Sequence, residues 1–594
     1  MRNRTRIFRV ICVFLISVLS LVACNGDENI PLLELQSSPA DPSTFPQPVQ
    51  TEKLCSPLSA AASSNGLATY AVMDDQSIIA NHLIFFGYAA DMDQLVLEFG
   101  DALGIAEDTE PLDQISFEAI NDYFELGENS LPIDYARSEF RLYQVDPDYF
   151  STLLGGNTDI FAYIRENDLQ VFIDFNYLTS SPVSSSSFVT ADPASGEPGG
   201  TNPDPASGEP GGTNPDPASG EPGGTNPDPH ENPGSPTSIA MTGNMRAQWA
   251  FTAINWPAPA PGENDIFSGQ EVKVAVFDTS PYPAQKSAYG IHWASPQLDL
   301  CVSQPYSVVA IDPFEPLPDI SDHGLFVAGL IHAAAPGSDI EIVRVLGDDG
   351  RGDSFTLIKA LSLYALREAA GSPAATPLKN HVINLSLGIE NKGVSIPQID
   401  DEMEDYFRQL REEAYGIPYD EPLHAVNLRF PFQILRELGA TIVAASGNDS
   451  QSPNHQPLQL PAALKDVIGV AGSTVDGDMS CFSNMGQVLA PGGDAGQNCA
   501  ERIHDLCYSN TPCTYGLVSL THRFPMGYAV WYGTSFSTPL VSGLAALILD
   551  ACPTASPYAI LTNQLNANLA SAGGLAPPPM INIADALATC LPHP

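Results

Sequence analysis

Short apolar runs rich in β-branched residues punctuate the second half of the chain, near 272–277, 340–346, 382–387, 441–446 and 466–472. Runs of this length without polar alternation predict strands buried on both faces, as in a parallel sheet. Segments with helical spacing alternate with them near 323–334, 354–369, 426–438 and 535–550. The alternation predicts an α/β domain of three layers, a mostly parallel sheet with helices on both faces. The first half reads differently. His82–Gly87 and Leu169–Phe175 have strand patterns, whereas Met92–Leu103 and Phe117–Leu126 have helical spacing. This mixture predicts a smaller α+β domain over about 55–181.

A repeat separates the two. Asp192–Pro203 recurs at 204–215 and at 216–227. Its proline and glycine content excludes a packed core, and its period is too short for a solenoid. The segment 182–238 is therefore an extended linker, and 239–594 is the larger domain. At the start of the chain, Arg2, Arg4, Arg6 and Arg9 precede an apolar stretch from Val10 to Val22. That stretch is too short to span a bilayer, so 1–23 reads as a secretion signal, followed by a tether at 24–54.

Charge narrows the partners. Seventy acidic side chains against 24 basic ones give a net charge of −46, and loss of 1–23 removes four arginines and no acid. Such a surface excludes nucleic acid and adhesion to anionic head groups as the main activity. With Cys12 and Cys24 set aside, eight cysteines remain: Cys55, Cys301, Cys481, Cys499, Cys507, Cys513, Cys552 and Cys590. Outside the cytoplasm these are expected in disulfides, with connectivity open. None has the Cys-x-x-Cys spacing of a zinc site.

The chemistry lies at the ends of the predicted strands. The run 272–277 leads into Asp278-Thr279-Ser280, which puts a carboxylate at a strand's carboxyl end, where open α/β sheets keep their sites. His323 starts the small-residue helix in Asp322-His323-Gly324. Asn448 follows the strand Thr441–Ala445 through Ser446-Gly447. Ser535 sits on the turn Gly533-Thr534-Ser535 that opens the last apolar helix, beside free helix N–H groups. Singly, such residues are most often caps or turn residues. Jointly, a hydroxyl, a base and a carboxylate in strand-to-turn contexts point to nucleophilic catalysis.

These motifs, with Val382–Gly388 and Ala444–Asn448, resemble the subtilisin-like serine protease family. They occur in its chain order of Asp, His, Asn and Ser over roughly residues 245–590. The resemblance implies a subtilisin-like fold and a serine endopeptidase acting on protein or peptide substrates, with no cofactor for the chemistry. Ser535 would be the nucleophile, His323 the base, Asp278 its orienting carboxylate, and Asn448 an oxyanion donor. Ser386, Leu387 and Gly388, with Ala444, Ala445, Ser446 and Gly447, resemble two walls of a primary specificity pocket whose small residues leave room for a sizeable side chain. Arg351-Gly352-Asp353-Ser354 falls where the family has a substrate-binding loop. Three departures flank the catalytic positions: Ser280, Leu325-Phe326 and Phe536-Ser537. Two stretches, about 389–425 and 494–530, are long for the family and would reshape the cleft rim. Aspartates are too numerous for spacing to single out a structural calcium loop.

Leu21-Val22-Ala23-Cys24 resembles a bacterial lipobox, which implies lipidation of Cys24 and a monomeric body held at the outer face of a membrane by lipid alone. Processing in the linker would release it. The 55–181 region is expected to be a prodomain, with an independent binding module as the competing reading. The alternative for the whole chain is a catalytically idle surface protein built on the same fold.

Overall fold

The computed structural model describes residues 78–106, 109–117, 137–156, 159–180, 237–238, 245–256, 268–280, 287–288, 291–293, 320–347, 350–370, 376–389, 426–450, 455–493, 516–521, 528–562 and 578–588. The expected signal, Cys24, the tether, the linker repeats, most of the helix expected at 117–126 and most of the two long stretches lie outside these residues.

The N-terminal domain runs β1 (Ile78–Tyr88), α1 (Ala89–Leu103), β2 (Asp113–Ser116), β3 (Ser138–Gln144), α2 (Pro147–Leu154), α3 (Asp159–Glu166) and β4 (Val171–Ser180). Its strands pair antiparallel in the order β4-β1-β3-β2, with Phe85 opposite both Ile173 and Arg141. Local chemistry sets the helix starts. The Asp146 carboxylate accepts from the N–H groups of Asp148 and Tyr149 at 2.8 and 3.2 Å, and Pro147 follows at the first helical position.

The larger domain continues with β5 (Thr237–Ser238), α4 (Trp249–Ala253), β6 (Lys273–Asp278), β7 (Ser287–Ala288), β8 (Ile291–Trp293), α5 (His323–Ala334) and β9 (Asp339–Arg344). It goes on through β10 (Arg351–Asp353), α6 (Ser354–Ala370), β11 (His381–Leu385), β12 (Gly388–Ile389), α7 (Arg429–Glu437), β13 (Thr441–Ala445) and β14 (Val467–Ser473). β15 (Val488–Pro491), β16 (Leu517–Leu520), β17 (Tyr528–Trp531) and α8 (Thr534–Ala551) follow. The eight-stranded sheet has the order β15-β14-β13-β11-β6-β9-β8-β7 and is parallel except at β7.

Period-two alternation sends neighbouring residues of one strand to different cores. Val274, Val276, Val382, Val443 and Ile468 join α5 and α8 on one face. Ala275, Phe277, Ile383, Leu385 and Ile442 face α6, α7 and, beyond them, the N-terminal domain. The strand β6 is further pinned by charge. Glu341 on β9, 5% exposed, takes two Arg367 hydrogen bonds at 2.7 and 2.6 Å and lies 3.2 Å from Lys273 at the start of β6. Burial alone would raise its pKa, but the Arg367 and Lys273 contacts outweigh this and hold the carboxyl below its ordinary value.

The N-terminal region shares one continuous hydrophobic core with the α6 and α7 layer, and the described residues from 78 onward belong to one compact unit. Phe430 at the start of α7 stacks at 3.9 Å on Phe86 and at 5.3 Å on Phe172, ring centre to ring centre. The guanidinium of Arg429 covers the Phe430 ring at 4.5 Å. Two polar side chains of β4 meet backbone donors of the larger domain. Asn176 Oδ1 accepts from Phe355 N–H at 3.0 Å, at the start of α6, and Asp174 Oδ2 accepts from Asn427 N–H at 3.1 Å. Lys359 on α6 pairs with Asp113 on β2 at 2.5 Å.

Candidate active site

The two central strands end on the same edge, and their exits carry the polar residues. Asp278 closes β6 and is fully buried. Its Oδ1 accepts from His323 Nδ1 at 2.7 Å and from the Thr279 N–H at 2.7 Å. Because the carboxylate only accepts, Nδ1 carries a proton and Nε2 is left as the basic nitrogen of the neutral ring. Thr279 also braces the partner element, its Oγ1 accepting from Gly324 N–H at 3.0 Å. Gly324 is required by this close approach. A Cβ there would run into the Thr279 carbonyl and come within 2.9 Å of the Asp278 Cβ.

Ser535 lies in the first turn of α8, almost fully buried. Its hydroxyl donates to the Ser386 carbonyl at 3.2 Å, and the Ser386 hydroxyl donates back to the Ser535 carbonyl at 2.7 Å. Asn384, at the end of β11, supports the exchange: its Nδ2 donates to Ser386 Oγ at 3.1 Å and its Oδ1 accepts from Ser542 at 2.8 Å. Asn448 accepts through Oδ1 from both the N–H and the hydroxyl of Thr534, at 3.0 and 2.9 Å, which leaves Nδ2 as the donating end of the amide. Gly533 has φ 144 and ψ 163, a backbone region open essentially to glycine, and a Cβ on it would sit 3.1 Å from that Nδ2.

Both segments expected to wall the pocket are buried chain: Ser386, Leu387 and Gly388 after β11, and Ala444, Ala445, Ser446 and Gly447 at the end of β13. The room expected between them is partly filled. Gln459 Oε1 lies 2.6 and 2.7 Å from where Cβ atoms on Gly388 and Gly447 would stand, and its Nε2 donates to Asp449. Nothing in the sequence near Gln459 announces that position. Asn384 was more legible, as a polar residue inside an otherwise apolar strand.

A strand from the N-terminal region ends beside these residues. β4 pairs antiparallel with β10 through Leu178 to Asp353, Thr179 to Gly352 and Ser180 to Arg351. Its other side pairs with β12, Ser180 opposite Gly388 and Thr179 opposite Ile389. The Arg351–Asp353 segment is thus strand-paired. Among the described residues no group of three or more His, Cys, Asp or Glu side chains is placed to hold a metal ion.

An oriented imidazole, a buried hydroxyl at a helix start and an amide donor beside it, at the carboxyl edge of a parallel sheet, define a serine peptidase of the α/β class. The subtilase family model, Peptidase_S8, matches residues 269–574, and the chain belongs to this family of serine endopeptidases. Subtilisin BL of Lederbergia lenta is 27% identical over 331 residues, 54% of this chain and 90% of that protein. Subtilisin NAT of Bacillus subtilis subsp. natto is 25% identical over 301 residues, 48% of this chain and 58% of that protein. The crystal structure of a cold adapted subtilisin-like serine proteinase aligns at 21% identity over 57% of this chain and 98% of that one, with a TM-score of 0.35.

The packing at Gly324 makes a direct expectation. Gly324→Ala forces Thr279 and Asp278 apart from the start of α5, so peptide hydrolysis falls by about 10²-fold from misplacement of His323 alone. Activity measured beside the melting temperature checks it: the protein stays folded and loses turnover.

Proposed function

We propose that this protein is a lipid-anchored serine endopeptidase of the bacterial cell surface, made with its own N-terminal domain lying over the cleft. The observation that carries the catalytic reading is the Asp278–His323 bond of 2.7 Å, faced by the α8 terminus, whose Phe536 ring centre is 5.2 Å from that of His323. In the resting state the Ser535 hydroxyl is turned to Ser386. The mechanism requires that hydroxyl to turn about χ1 towards His323 Nε2, a tightening that substrate commonly completes. Ser535 Oγ then attacks the peptide carbonyl carbon while Nε2 takes its proton. The carbonyl oxygen becomes an oxyanion, held by Asn448 Nδ2 and the Ser535 N–H. On collapse, the proton passes from Nε2 to the departing amine, leaving an acyl-serine that water releases by the same route. Asp278 stays a carboxylate and fixes the tautomer throughout.

The prodomain reading rests on β4. A substrate lies in such a cleft as an extended chain bonded on both sides, and β4 is bonded in that way between β10 and β12. The neighbouring contacts supply a pH dependence. His82 on β1, 2% exposed, accepts through Nδ1 from Asn176 Nδ2 at 3.4 Å, and Asn176 in turn receives the α6 N–H. Burial lowers His82 from 6.5 to about 4, with the Asp353 carboxylate opposing the shift. With the undocked imidazole taken at its ordinary 6.5, the free domain binds a proton that the docked one refuses until about pH 4, so docking is strongest above 6.5 and weakens as the pH falls between these values. The anchor reading rests on Cys24 at the boundary of the signal segment.

Three outcomes are expected. Ser535→Ala abolishes peptide hydrolysis and labelling by a fluorophosphonate in a folded protein; substantial residual turnover would sink the mechanism. In protein cut once within 182–238, the N-terminal domain stays bound at pH 7 and binds about tenfold more weakly at pH 5, with activity rising in step. His82→Gln removes that dependence, and gel filtration at the two pH values checks it. Finally, Cys24→Ser abolishes fatty-acid labelling and moves the protein to the soluble fraction, whereas unchanged membrane association would rule out Cys24 as the anchor.

A further inference from the structure

Among the described residues the imidazole of His323 is gripped by one hydrogen bond, Nδ1 to Asp278. A ring held at one edge can still swing about that bond, and the Ser535 hydroxyl does not steady it, being turned to Ser386 at 3.2 Å. Among the described residues two aromatic rings lie against the imidazole. Trp531, the last residue of β17, stands perpendicular to it with centroids 5.3 Å apart and an interplanar angle of 90°. Phe536, next to Ser535 on α8, lies at 5.2 Å and 50°. Trp531 and Phe536 touch each other at 5.0 Å, and Phe326 on α5 closes the group, 4.7 Å from Phe536 and 5.7 Å from Trp531. Three separate elements thus contribute one ring each to a box with His323 at its open corner.

We propose that Trp531 and Phe536 are positioning residues for His323, with Phe326 as their brace; this rests on His323 being the catalytic base. Two physical effects follow from the geometry. The perpendicular indole and the tilted phenyl restrict both the swing and the flip of the imidazole, so Nε2 stays aimed at the nucleophile while Ser535 rotates towards it. The rings also keep water away from the imidazole, so the Asp278–imidazolium attraction in the transition state acts in a poorly screening medium. A cation beside aromatic rings gains further from their quadrupoles. The box is buried: Phe326, Trp531 and Phe536 are all 3% exposed or less. They are therefore placed to act through His323 rather than to grip a substrate. Phe326 and Phe536 lie in two of the segments that flank the catalytic positions, and their rings are in contact with each other. The pair is one packing solution.

The test uses the full chain cut once within 182–238 and diluted until the N-terminal domain leaves the cleft, in variants Trp531→Leu, Trp531→Phe and Phe536→Leu. The readouts are kcat and KM on a fluorogenic peptide, the rate of fluorophosphonate labelling, and the melting temperature. The leucine variants are expected to lose at least about tenfold in kcat and to slow labelling equally, with KM unchanged, because only the placement of the base is disturbed. Trp531→Phe keeps a ring in place and stays close to the parent. A rise in KM with kcat intact overturns the proposal, since the rings would then be touching substrate. Labelling at the parent rate overturns it too, as does equal activity in Trp531→Phe and Trp531→Leu. Should the leucine variants fail to fold, Phe536→Met takes their place, keeping the volume without the ring. It should lose turnover where Trp531→Phe does not, and equal turnover in the two would refute the box. Ser535→Ala is the control that separates the two readings. Hydrolysis surviving that change removes the triad itself, whereas Ser535-dependent hydrolysis unaffected by the ring variants removes only the box.

Discussion

Burial of the central strands on both faces governs everything else in the larger domain. Val274 and Val276 go to one core and Ala275 and Phe277 to the other, so β6 has no face left for polar chemistry. Only where the strand stops can a carboxylate be placed, and Asp278 stands there, desolvated but paid for by two hydrogen bonds. The same confinement places Asn448 after β13 and Ser386 after β11. Helices α5 and α8 pack side by side on one face, which brings His323 and Ser535, both in first turns, to that edge.

Much of this was legible because each signal was local. The apolar runs at 272–277 and 441–446 matched β6 and β13 to within a residue, and the helix at 323–334 matched α5. Elements whose limits depend on remote partners were less legible. The strand pattern of β4 stops at Phe175, yet the strand continues to Ser180, and its last residues, Leu178 to Ser180, bond to β10 and β12. β1 likewise begins at Ile78, ahead of the alternation that first suggests it. The start of α7 was set too early by three residues, since Val426–Leu428 form a 3₁₀ turn. Within the site, the four residues of the family motifs were visible, whereas Gln459 and the aromatic box were not. Their effect comes from side chains meeting across elements distant in sequence, and no periodicity records that.

The junction between the two domains joins apolar and polar matching. The Phe86–Phe430–Phe172 stack supplies area, while Asn176 and Asp174 supply acceptors where α6 and the 426–428 turn present backbone donors. Helix starts need such acceptors from somewhere. Part of that need on α6 is met within the larger domain, since Asp353 accepts from Thr356 N–H at 3.0 Å. Asn176 adds to it from outside, and so links the order of the helix to the presence of the smaller domain.

Both ends of the Pro/Gly segment are anchored in paired strands. β4 stops at Ser180 against β10 and β12, and β5, at Thr237–Ser238, pairs with β17 through Ser238 to Ala529 and Thr237 to Val530. β17 runs directly into the turn that bears Ser535. An uncut chain therefore holds β4 near the cleft at an effective concentration set by the connecting segment, in the millimolar range for short flexible tethers and lower for longer ones. Dilution of the intact protein leaves that quantity unchanged. A single break in the segment converts a unimolecular equilibrium into a bimolecular one, after which cleft occupancy depends on how much protein is present.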